Sequence, residues 1–217
     1  MLKIRNFFLM LLVVLSAAAC AVYPAGTTSS SVSVGVAGPH ASIGFSVSSY
    51  PYLTPVPGYP VYYAPSLQAN FFFYDSLFWV YQDDYWYSSS WYNGPWWRVH
   101  PEVVPVIILQ VPVRYYRHPP TYFQGWRQDA PPRWGDRWGR DWEHNRSGWD
   151  RYDRRSAPAA APLPDYQRHY SDQRYPRQVE QQFDLRERNY RYQPHDPVVK
   201  QQYDEQKRGR GPGQQRR

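Results

Sequence analysis

Apolar and polar positions are distributed in four different ways along the chain. Phe7 to Leu15 is an unbroken apolar run. Between residues 31 and 47 apolar and small polar positions alternate, with Val32, Val34 and Val36 on one arm and Ile43, Phe45 and Val47 on the other. Ala37-Gly38-Pro39-His40 separates the arms, so this stretch predicts a β-hairpin over 31–47. A lone hairpin is marginal in water and needs something to pack on. From residue 66 to 118 short aromatic segments are divided by turn residues, and beyond Pro119 the pattern dissolves into Arg, Gln and Pro with isolated Trp.

The third region is the densest. Ten of the 21 residues from Leu77 to Trp97 are aromatic. Phe71–Tyr74, Leu77–Gln82, Tyr85–Tyr92 and Trp96–His100 read as strands, with turns at Asp75-Ser76, Asp83-Asp84 and Asn93-Gly94-Pro95. The expected fold class is a small all-β antiparallel meander of three or four strands over 66–118. Most of the remaining chain is expected to be disordered. Alternation puts Phe78, Val80 and Gln82 on one face and Leu77, Trp79 and Tyr81 on the other, so both faces are largely apolar and both need cover. Candidates for that cover are Val103 to Tyr116 and the Tyr- and Pro-rich stretch 50–65, expected to be extended. Pro101-Glu102 suits a short helical turn, and Val106–Val111, between Pro105 and Pro112, reads as an edge strand.

Composition limits what else can pack. There are 22 prolines in 217 residues, and aliphatic side chains concentrate near the N-terminus and in Val103–Val113. One small core is the expectation, with a disordered 119–217 tail rich in Arg, Gln, Pro and Trp. In that tail Trp134, Trp138 and Trp142 recur every four residues, a spacing that would build one helical face, but Gly135 and Gly139 oppose a helix. Residues 176–189 and 196–207 carry helix signals, the second with Asp196-Pro197 as N-cap and first residue, so short helices are expected there.

The N-terminus is an address. Lys3 and Arg5 precede the apolar run, and Ser16-Ala17-Ala18-Ala19-Cys20 follows it, as in a signal peptide over 1–19. Ala18-Ala19-Cys20 resembles the lipobox of bacterial lipoproteins, although Ala17 stands where that family prefers leucine. The resemblance implies acylation of Cys20, the only cysteine, and Ala21 in place of Asp implies the outer membrane, facing the periplasm or the cell surface. Ala17-Ala18-Ala19 equally fits ordinary signal cleavage, which leaves a soluble periplasmic protein. Residues 20–65 then form a tether rich in Ser, Pro and Tyr.

Charge adds a little. The net charge is +7, and six of that excess lies beyond Pro119. Interleaved charges of this kind suit either a solvated polyampholyte or weak attraction to an acidic glycan or other envelope polyanion. The closing run from Arg208 is similar to RGG-type nucleic-acid tails, but export argues against nucleic acid as a partner.

Candidate chemistry is sparse. The six histidines are scattered, no metal-ligand spacing is present, and no cofactor motif appears. Asp83-Asp84 on a turn is a weak acid–base pair, with Arg98 and His100 able to add polar contacts nearby. Tyr92, Trp96 and Trp97, beside the Gly-Pro turn, are the candidate ligand-stacking residues. The runs Trp79–Tyr87, Trp91–Trp96 and Val111–Arg117, continuing into Gly125-Trp126 and Pro132–Gly135, resemble a set of exported proteins of Gram-negative proteobacteria. That resemblance implies an envelope setting and carries no activity. The expected function is a non-enzymatic envelope lipoprotein with a structural or interaction role. The alternative is a module binding envelope or matrix polysaccharide through exposed Trp and Tyr.

Overall fold

The computed structural model describes residues 35–36, 41–42, 47, 50–169 and 192–209. The signal segment 1–19, Cys20, the expected helix at 176–189 and the chain from Arg210 onward lie outside the described residues. Of the hairpin expected over 31–47, two short strands are described, β1 (Gly35–Val36) and β2 (Ala41–Ser42), paired antiparallel with Gly35 opposite Ser42.

The centre is a six-stranded antiparallel sheet in strict chain order. Its strands are β3 (Thr54–Pro55), β4 (Tyr62–Tyr63), β5 (Asn70–Tyr74), β6 (Leu77–Gln82), β7 (Tyr85–Ser89) and β8 (Trp97–Val99). The 50–65 stretch therefore adds two strands to the meander instead of only lying along it. The β5–β6 and β6–β7 turns are two-residue connections in which both residues take positive φ: Asp75 (47°) and Ser76 (75°), then Asp83 (49°) and Asp84 (66°). This geometry matches the right-handed twist of the flanking strands, and Asp tolerates it better than most residues. These turns fix the register, placing Phe72 opposite Trp79 and Tyr81 opposite Trp86. The third turn needs its glycine for a second reason. Gly94 has φ +94°, and a Cβ there would stand 2.9 Å from Trp96 Cδ1.

Each face of the sheet has its own core. Leu77, Trp79 and Tyr81 look one way with Phe72 and Trp86, while Phe78 and Val80 look the other with Phe71 and Phe73. The alternation read from the sequence holds, and both faces are covered. The first is covered by Val104 and by α1 (Val106–Leu109), which buries Ile108 and Leu109. An edge strand was expected here; a helical turn forms instead, because Pro105 O accepts the N–H groups of Ile108 (3.0 Å) and Leu109 (3.2 Å). A short apolar run fits either state, and packing against the sheet decides. The helical turn expected at Pro101 forms as a 3-10 turn, Pro101–Val103.

The rest of that cover overturns the disordered tail for residues 119–169 and 192–209. Phe123, Trp134, Trp142, Trp149 and Val199 are buried in the same core. Helices α2 (Trp134–Trp138) and α3 (Arg140–Asn145) meet at Gly139, whose φ of +87° breaks the helix without losing the tryptophan spacing. Trp134 and Trp138 stack 4.7 Å apart with an interplanar angle of 8°, and Trp138 meets Trp142 edge-on at 4.7 Å. The indole N–H of Trp134 donates to Leu109 O at 2.9 Å. On the opposite face Tyr50, Leu53 and Ala64 join Tyr166 from α4 (Asp165–His169). The packed unit is thus wider than residues 66–118.

Glutamine and asparagine side chains fasten these distant pieces. The Asn70 amide donates to Tyr81 O (3.0 Å) and His118 O (2.7 Å), and its Oδ1 accepts His118 N–H at 2.9 Å. Gln110 donates to Gly148 O at 2.7 Å. On α5 (Pro197–Gly209), Gln206 donates to Ser88 Oγ at 3.0 Å and accepts Ser90 N–H at 2.9 Å, while Gln202 accepts Ser88 Oγ–H at 3.0 Å. Buried amides of this kind must be paired, so each fixes a register between segments.

Candidate functional site

The residues singled out in the sequence separate in the fold. Tyr92 and Trp96 are interior, 2% and 3% exposed, and belong to the core that includes Phe71 and Tyr166. Tyr92 lies 4.7 Å from Tyr50, and Trp96 meets Phe71 edge-on at 6.1 Å. The stacking role expected of these two therefore has no open ring face to act through; the core needs their area more than the surface does. Trp97 is half-buried, paired with Ser88 across β7 and β8. Cys20 lies outside the described residues.

Asp83 and Asp84 do not work as a pair. Asp83 contacts Gln82 on the surface (3.3 Å). Asp84 turns inward, accepting Tyr122 O–H at 2.7 Å and pairing with Arg137 at 2.6 Å. The Tyr81 and Tyr122 hydroxyls lie 2.5 Å apart, and Tyr81 O–H also reaches Asp84 Oδ1 at 3.4 Å. Burial pushes the Tyr81 hydroxyl up to about 12, and burial together with these bonds raises Tyr122 further. All four groups are satisfied by one another, which makes this a structural lock. Arg98 lies over the Tyr85 ring at 3.5 Å, and His100 pairs with Glu102 on the surface.

Polar side chains converge elsewhere, where the β5–β6 turn meets the start of α5. Asp75 is only 4% exposed. Its Oδ2 accepts the backbone N–H groups of His195 (2.8 Å) and Asp196 (2.7 Å), and its Oδ1 accepts Tyr192 O–H at 2.9 Å. Tyr192 also lies 2.7 Å from His195 Nδ1. Asp196 caps α5, its Oδ1 accepting Val198 N–H (2.9 Å) and Val199 N–H (3.3 Å), and its Oδ2 accepts Tyr74 O–H at 3.3 Å. Burial, followed by the neighbouring carboxylates, holds the Tyr74 hydroxyl far above its ordinary value; burial and the Asp75 bond do the same to Tyr192. These groups border a cavity of about 250 Å³, with Ile107, Pro158, Ala159 and Ala161 as its apolar wall.

The turn at Asp75 and the cap at Asp196 are each legible in the sequence; their meeting across 121 residues is not. Nothing local marks Tyr192 or His195, since neither lies in a motif. Among the described residues no group of three or more His, Cys, Asp or Glu is placed to hold a metal ion. No protein-family model, curated protein or solved structure matches the chain.

Proposed function

We propose that the protein is a non-enzymatic component of the bacterial cell envelope, held at the outer membrane by acyl chains on Cys20 and acting through structure or interaction. The observation that carries this reading is the positive, apolar, small-residue pattern of residues 1–19 ending on the only cysteine of the chain. Three acyl chains, each contributing about 0.8 kcal/mol per buried methylene, exceed what stable anchoring needs. The packing is in keeping with a structural role. Trp79, Trp86 and Trp134 are wholly interior, and Asp84, half of the sequence-marked acid pair, is bound into a lock with two tyrosines and an arginine.

Labelled palmitate supplied to expressing cells tests the anchor. Wild-type protein is expected to incorporate label and to fractionate with the outer membrane, and Cys20→Ala to lose both properties. An unlabelled wild type in the soluble periplasmic fraction would replace the anchored reading with ordinary signal cleavage.

A further inference from the structure

We propose that the cavity between the β5–β6 turn and the start of α5 binds a small organic ammonium compound, a primary amine carried on a compact, partly apolar body. The proposal goes beyond the envelope role and does not depend on the anchor.

The size of the space sets the first limit. About 250 Å³ would hold roughly eight waters. It is below the usual range for drug-sized ligands, so the fit is to a single sugar or a short alkyl amine.

Hydrogen-bond bookkeeping sets the second. A carboxylate offers about four lone-pair positions. Asp75 uses three, two on Oδ2 and one on Oδ1. Asp196 also uses three, two on Oδ1 and one on Oδ2. Each acid therefore keeps one acceptor position, on the oxygen that already takes a tyrosine hydroxyl. Both residues border the cavity, so the occupant must donate.

Charge sets the third. Asp75 and Asp196 carry two negative charges. Arg146, whose guanidinium donates to Val104 O, lies within electrostatic range of Asp196 without pairing with it. His195, with its side chain 74% exposed at the rim, approaches Asp75 only to 4.0 Å. Among the described residues the only cationic group that nears either acid this closely is the exposed His195, so a positive charge is favoured here, and an ammonium supplies it together with N–H donors. The Tyr74 and Tyr192 rings that border the same space suit a cation, and Ile107, Pro158, Ala159 and Ala161 suit the apolar body.

Calorimetric titration of the full chain with glucosamine, pentylamine and N-acetylglucosamine tests the site. N-acetylglucosamine keeps the sugar ring and replaces the ammonium with a neutral amide. Saturable binding of either amine, with N-acetylglucosamine about tenfold weaker or more, is the expected result, because a hydrogen bond to a charged group contributes about 1.5–3 kcal/mol. Whichever amine binds tighter distinguishes a sugar source from an alkyl one. Asp196→Asn retains a competent N-cap and should weaken binding by a similar factor. Ala159→Leu adds bulk to the cavity wall and should weaken binding, which decides the matter if Asp196→Asn loses its fold. Cys20→Ala should bind as wild type, so the anchor and the site fail separately. No heat with either amine, equal affinity for the amide, or undiminished binding in folded Ala159→Leu would overturn the proposal.

Discussion

The Gln167 side chain holds the backbone of Leu53 as a neighbouring strand would: Leu53 N–H donates to Oε1 at 2.9 Å, and Nε2 donates to Leu53 O at 2.8 Å. The two residues are 114 apart in sequence. Leu53 leads into β3, the outermost strand of the sheet, and an edge with unmet backbone groups invites pairing with other chains. Gln167→Ala is expected to destabilise the fold by about 1–3 kcal/mol, because a backbone donor and acceptor lose their partners together. Gln167→Glu keeps the acceptor and loses the donor, and should fall between. Urea denaturation checks the order, and hydrogen exchange at the Leu53 amide should accelerate in the alanine variant.

Asp75→Asn tests whether the β5–β6 turn fastens α5. Asparagine tolerates the positive φ of that turn. It offers one oxygen where the aspartate uses both, so at least one of the three donors loses its carboxylate acceptor. Stability should drop by about 1–3 kcal/mol. Limited proteolysis should release the segment after residue 169 earlier than in wild type. An unchanged digestion pattern would mean that Gln202 and Gln206 hold the helix without help.

Trp134 should be among the most sensitive positions. It is fully buried, stacks on Trp138 and donates to Leu109 O. Trp134→Ala is expected to cost about 3–5 kcal/mol. Since one face of the sheet depends on residues beyond 118, the isolated fragment 66–118 should show no cooperative unfolding transition, whereas 50–209 should. Thermal melts of both fragments separate these outcomes.

Alkaline pH should unfold the protein through its tyrosines. Folding raises the hydroxyl of Tyr81 from 10.0 to about 12, chiefly through burial, and raises buried Tyr116 well above its ordinary value for the same reason. A raised folded value means that the native state keeps a proton the unfolded chain gives up. The stabilisation is therefore complete below about pH 10 and is lost as pH climbs through about 12, with Tyr81 alone contributing on the order of 3 kcal/mol. Phenolate absorbance should rise in two phases, with the interior rings last and together with loss of the fold. A single phase centred on the ordinary tyrosine value would contradict this.

The sheet was legible because its rules are local. Leu77–Gln82 has the bounds that alternation and the flanking Asp75-Ser76 and Asp83-Asp84 turns suggest, and its two faces divide as the period of two requires. The coverings were not legible, because a residue's partner across 60 or 120 positions leaves no local mark. Trp134, Trp138 and Trp142 show the difference. Their spacing points to a helical face and Gly139 points against a helix, and the fold satisfies both by breaking the helix at Gly139. Gln167, Gln202 and Gln206 look like solvated tail residues by composition, yet each meets a backbone or hydroxyl group that needs it. The Asp75–Asp196 meeting was hidden for the same reason: two readable local motifs gave no sign that they touch.

That division between a local sheet and remote coverings has a consequence for how the protein is made. Translation supplies the six strands in sequence, so the meander can begin to pair before Trp134 or Tyr166 has left the ribosome. Until then two aromatic faces stand open to water, which is the state most prone to aggregate. Nascent chains halted near residue 118 should therefore stay bound to holding factors and remain protease-sensitive, with protection arriving stepwise as the stretch through residue 169 and then the one through 209 emerge. On the proposed envelope reading, late closure would be an advantage, since a chain that cannot finish folding on the near side of the membrane stays competent to cross it.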